Sequence, residues 1–144
     1  MRRELIIVLY HHIAEDGDPL TKQLGLATRP DAFEKHVRYF AQNFDFVSGS
    51  DLICGVLPPR PLLITFDDAY RSVLDVGAAI LKNASAPSVF FINPATLTGA
   101  TLPIDNVLSL AIEECGRKGV SAILNITDGG ISSAVRRLRT SFRD

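Results

Sequence analysis

The run Leu62-Leu63-Ile64-Thr65-Phe66-Asp67-Asp68-Ala69-Tyr70 constrains this chain more than any other stretch. Its largely apolar start has strand length and reads as a strand buried on both faces of a sheet. Two adjacent carboxylates stand where that strand ends. Neighbouring side chains on a strand point to opposite faces, so the aspartates enter two environments and need not do the same job. A plainer reading stays open on spacing alone. One Asp would cap the helix that starts near Tyr70, and the other would be a solvated turn residue.

Around that strand the chain alternates. Leu5-Ile6-Ile7-Val8-Leu9 is a β-branched run of strand length that ends at Tyr10-His11-His12. A polar loop from Glu15 to about Arg29 follows. Pro30 suits the first turn of a helix, with Asp31 and Glu34 favourable near its start. Phe33, Val37, Phe40 and Ala41 form its apolar stripe, and His36 on that helix reads as structural. Phe44 to Val47 is a short strand, and Ser50 caps a short helix through Leu57, ended by Pro58, Pro59 and Pro61. After the aspartates, Val73, Val76, Gly77, Ile80 and Leu81 mark a second long helix. Ser88 to Ile92 is another strand. Strand and helix in alternation imply a parallel sheet with covering helices, an α/β fold. In such sheets functional groups collect at the carboxyl ends of the strands. His11, His12, Asp67, Asp68 and Asn93 all lie just past strand ends and can share one rim.

Beyond Thr98 the pattern turns helical. Ile104, Val107, Leu108, Ala111 and Cys115 fit one face, and Gly116 to Gly119 reads as a turn. Residues 120–126 fit helix or strand equally. Ile131, Val135, Leu138 and Phe142 make a last stripe. Arg136, Arg137, Arg139 and Arg143 beside it read as a solvated helix face.

The bulk numbers exclude several classes. The chain has 144 residues and is 47% hydrophobic, enough for one domain with a core. A formal net charge of -1 gives no electrostatic case for nucleic acid or an anionic membrane. No apolar run is long enough to span a bilayer. Met1-Arg2-Arg3 with the following apolar run imitates a signal peptide, but Tyr10-His11-His12 interrupts it, so no signal peptide is expected and the cytoplasm is the default compartment. Cys54 and Cys115 lack CxxC spacing and read as reduced, partly buried thiols. There is no Gly-x-Ser-x-Gly elbow, Walker loop or dinucleotide fingerprint.

The order of a Pro-rich turn, LLITFDDAY, a helix and then Pro87-Ser88-Val89-Phe90-Phe91-Ile92 resembles the polysaccharide deacetylase family, the NodB-homology carbohydrate esterases. Leu9-Tyr10-His11-His12-Ile13 adds to the resemblance, which covers roughly residues 5 to 97. Ala69 departs from the family's Gly, and the family's H-x-x-x-H pair is absent. The resemblance implies a partial distorted (β/α) barrel over residues 1–100, with a helical segment or insertion over 101–144. It implies a metal-dependent hydrolase that removes N-acetyl groups from a polysaccharide or oligosaccharide. Carried over, Asp67 is the general base, Asp68 a ligand of a divalent metal such as zinc, and His11 a site-lining residue that bonds Asp67 or substrate. The second and third protein ligands of that metal are not identified. The alternative is a non-catalytic carbohydrate-binding or assembly module keeping half the fold. Half a barrel leaves strand edges and an apolar face uncovered, so homo-oligomers, weak metal binding and no turnover are expected of these residues alone. Ala69 is read as having negative φ, because Ala is what the chain uses there.

Overall fold

The computed structural model describes residues 4–15, 17–99 and 102–124. In chain order the elements are β1 (Ile6–Tyr10), β2 (His12–Ile13), β3 (Ala27–Thr28), α1 (Pro30–Asn43), β4 (Asp45–Phe46) and α2 (Gly49–Ile53). Then come β5 (Pro61–Phe66), a π-helical stretch (Val73–Gly77) running into α3 (Ala78–Asn83), β6 (Ser88–Phe90), α4 (Pro94–Leu97) and α5 (Ile104–Ile123). The last apolar stripe, with its arginines, lies outside the described residues.

β5 is the axis of the sheet, and all its residues are buried. It pairs with β1 in parallel along its length, Ile6 opposite Leu62 through Tyr10 opposite Phe66. Along its other edge β4 takes the start, at Pro61 and Leu62, and β6 takes the end, at Ile64 to Phe66. Every pairing is parallel, which requires crossover connections, and the helices supply them. A short parallel pair, β2 with β3, stands apart inside the stretch expected to be loop. The mixed α/β architecture expected from the alternation is therefore present. The sheet is open, however, and the described residues do not close a barrel. Closure of a (β/α) barrel takes about eight strands, and among the described residues no strand pairs with the outer edge of β1.

Helices cover one face of the sheet. Tyr10, Leu62, Ile64 and Phe66 meet Phe33 and Val37 from α1, Val73 from the π-helical stretch and Leu81 from α3. Phe66 packs edge-on to Phe33 at 5.9 Å, 71° apart, and stacks on Phe90 at 5.1 Å. At Gly77 a Cβ would lie 3.3 Å from Val73 Cγ1, so that side chain would have to give by a few tenths of an ångström. The opposite face is barer: Ile7 and Leu9 on β1 are 58% and 50% exposed.

Several local expectations shift. Ser48, not Ser50, caps α2, through a capping box with Asp51. That cap starts the helix two residues earlier than the sequence reading placed it. On α1, Ala41 is exposed, and Phe44 packs against the core in its place. On α5 the buried face is Asp105, Asn106, Leu108, Ser109, Ile112 and Val120, while Ile104 and Val107 are exposed. Polar side chains bonded to the 18–23 loop decide that face, so apolar spacing misplaced it. Gly116 breaks the helix with φ 68 and ψ 161, where a turn was expected, and helix resumes to Ile123. Cys54 and Cys115 are both free and exposed rather than partly buried.

Candidate functional site

The site forms where β1, β5 and β6 end side by side. Tyr10, Phe66 and Phe90 are in register across the three strands. The next residues continue the pairing: Asp67 N–H donates to Tyr10 O at 3.0 Å, and Phe91 N–H donates to Phe66 O at 2.7 Å. Because Phe66 points into the helix-covered core, alternation sends Asp67 to the barer face. Asp67 and Asp68 line an open cavity of about 490 Å³ together with Phe91, Ile92 and Asn93.

The two aspartates then part company. Asp68 has φ 67 and Ala69 φ 54, so the chain leaves the strand through two left-handed residues. Asp tolerates this region, whereas Ala does not favour it. The expectation of negative φ at Ala69 is thus overturned, because the turn that swings Asp68 toward His11 uses the left-handed region at both positions. Ala69→Gly is accordingly expected to stabilise the protein by about 1 kcal/mol, since Ala is strained there and Gly is not. Thermal melts of the two forms measure this, and a lower melting temperature for the glycine variant would contradict it.

His11 sits one residue past β1, and its Nδ1 lies 2.8 Å from Asp68 Oδ2. The partner expected from the resemblance was Asp67 or substrate; the observed one is Asp68. The bond to Asp68 raises the His11 pKa, burial opposes it, and the charges of Asp68, Asp67 and Asp105 add to the rise. His12 differs. Its ring is buried and stacks on Tyr70 at 4.6 Å, with Nδ1 3.2 Å from Thr21 Oγ1 and Nε2 3.6 Å from Asp18. Burial lowers its pKa, partly offset by the Asp18 charge.

The two histidines therefore pull stability in opposite directions with pH. The raised pKa of His11 makes its contribution complete below the unfolded value of about 6.5. That contribution is lost as pH rises through the folded value. The depressed pKa of His12 gives stability that is complete above about 6.5 and lost as pH falls. His11→Gln should cost most in melts at pH 5 and least at pH 9, and His12→Gln the reverse. Parallel pH profiles for the two variants would refute this.

Sequence reasoning did not find the groups that brace the turn. Tyr70, which follows it, accepts a hydrogen bond from Asn106 Nδ2 at 2.6 Å, and Asn106 also donates to Leu20 O at 2.9 Å. Ser109 Oγ donates to Pro19 O at 2.7 Å, and Ser72 Oγ accepts from Ile13 N at 3.3 Å. Tyr70 stood in the quoted motif and could have been singled out. Nothing in the spacing of Asn106 or Ser109 marks them. His36, read as structural, is exposed on α1 and its Nδ1 lies 3.0 Å from Tyr10 Oη. Asn93, expected on the rim, lines the cavity.

A catalytic zinc takes three protein ligands and an open position. Among the described residues no group of three His, Cys, Asp or Glu side chains could hold a metal ion. Asp68 Oδ2 and His11 Nδ1 face one another at hydrogen-bond distance. The described residues thus do not fit such a centre by themselves.

Solved structures share this arrangement of strands and helices. The Streptococcus pyogenes deacetylase PplD in complex with acetate superposes with a TM-score of 0.57 at 20% identity, covering 74% of this chain and 51% of that one. IcaB from Ammonifex degensii gives 0.53 at 26% identity, over 63% of this chain and 39% of that one. This is a polysaccharide deacetylase fold. A de-N-acetylase from Aggregatibacter actinomycetemcomitans superposes on the same fold at 0.50 with 23% identity, covering 60% of this chain and 36% of that one. The chain spans about half the length of the first of these structures and less of the others. No family model matches the sequence, and no curated protein does. In this deacetylase fold the Asp67-Asp68 turn stands at the carboxyl end of the central strand, the position at which parallel α/β sheets place their chemistry. Among the described residues no helix is long and apolar enough to cross a membrane.

Proposed function

We propose that this chain carries the base-bearing half of an amide-hydrolysing site, which removes acetyl groups from an N-acetylated polysaccharide or oligosaccharide. The observation that carries the reading is the division of the aspartate pair: both line the cavity, but Asp68 is bonded to His11 and Asp67 is not. The likeness of the fold to PplD, a deacetylase, and to the Aggregatibacter de-N-acetylase supports it.

The chemistry follows from those positions. Asp67 is the general base: it takes a proton from water as the oxygen attacks the acetyl carbonyl carbon. The carbon–nitrogen bond then breaks, acetate leaves, and the sugar amine takes up a proton. His11, kept protonated to higher pH by Asp68, is the nearby group able to supply that proton. The family resemblance brings a divalent metal, zinc in the first instance, with Asp68 as a ligand. Such an ion would polarise the carbonyl and acidify water. It would compete with His11 for Asp68, and the described residues offer it too few donors.

Incubation of the full-length protein with tri-N-acetylchitotriose tests the reading. Free acetate and new primary amines should appear in equal amounts. Saturable binding of the trisaccharide with no acetate release would favour the non-catalytic carbohydrate-binding module instead.

A further inference from the structure

Phe91 is a large side chain that core packing does not explain. It is 58% exposed, although the preceding Phe90 stacks on Phe66 at 5.1 Å. Its N–H bond to Phe66 O, 2.7 Å long, holds it one step past β6 and abreast of Asp67. Strand alternation turns it, like Asp67, away from the helix-covered core. The ring therefore borders the same cavity as both carboxylates. An aromatic ring left in water forgoes the stabilisation its burial would bring. Small-molecule sites commonly join an apolar aromatic wall to a few convergent polar groups. A pyranose matches that pairing, because one face carries C–H groups and its rim carries hydroxyls and the acetamide. A flexible acetylated lysine chain has no such flat face.

We infer that Phe91 is a stacking platform that seats a pyranose ring beside Asp67, and so selects cyclic N-acetylated sugars over acetylated peptides. This rests on the deacetylase reading and adds to it the residue that sets substrate class.

The sequence contains no tryptophan, so Phe91→Trp places a single indole at the platform. In the full-length protein, titration with tri-N-acetylchitotriose should shift the indole emission to the blue and saturate. The dissociation constant of that variant should match that of the wild type measured by calorimetry. Phe91→Ala should weaken trisaccharide binding about tenfold, as expected for losing the contact of one ring face. Where turnover is measured, KM should rise while kcat holds. An acetyl-lysine peptide should bind far more weakly than the trisaccharide. Unchanged trisaccharide affinity in Phe91→Ala would overturn the platform and leave the deacetylase reading standing. Equal affinity for the peptide would also overturn it. Failure of the wild type to bind the trisaccharide would overturn both. Indole emission that follows protein concentration and ignores sugar would mean that a second copy covers the ring, and would overturn the platform too.

Discussion

Phe66→Ala is expected to destabilise the protein by about 3–5 kcal/mol, the usual cost of removing a buried aromatic ring. Phe66 is fully buried on the central strand. Its ring touches three others, with centroids 5.8 Å from Tyr10, 5.9 Å from Phe33 and 5.1 Å from Phe90. Those neighbours belong to β1, α1 and β6, so the ring ties the sheet to its helical cover. Close-packed surroundings relax only partly around a deletion, which adds a cavity cost to the lost burial. A fall in melting temperature of roughly 10 °C or more would follow. A change of only a degree or two would mean that these elements are held together elsewhere. Phe66→Leu keeps most of the volume and should cost well under half as much.

What could be read from the sequence follows from how local the signal was. β5 was legible because a strand buried on both faces must be almost wholly apolar, and Leu62 to Phe66 are. α1 was legible because Pro30 begins it and Phe33 and Val37 keep helical spacing. The alternation of these elements gave the parallel sheet, and the position after β5 gave Asp67 and Asp68. Features set by partners distant in sequence were not legible. The buried face of α5 depends on Asn106 and Ser109 reaching carbonyls of Pro19 and Leu20, across more than 80 residues. The left-handed Ala69 contradicts the residue's own preference, and only the tertiary course of the turn explains it. His11 stood out in the sequence, yet its partner depended on that same turn. Had Asp68 itself taken negative φ, its side chain would have left the strand in another direction.

In the proposed reaction Asp67 and Asp68, though adjacent, have separate jobs, with Asp67 as the base. Asn at position 67 keeps the size and shape of the side chain but cannot take a proton at neutral pH. Asp67 is partly exposed on an open cavity wall, so the substitution should leave the fold intact. A positioned general base contributes roughly 10²–10⁴-fold to rate. The most direct measurement is acetate release from tri-N-acetylchitotriose by the full-length protein and its Asp67→Asn variant, at matched melting temperature. A loss of roughly 10²–10⁴-fold is expected, with trisaccharide affinity little changed. Acetate release by Asp67→Asn within a few-fold of wild type would contradict it.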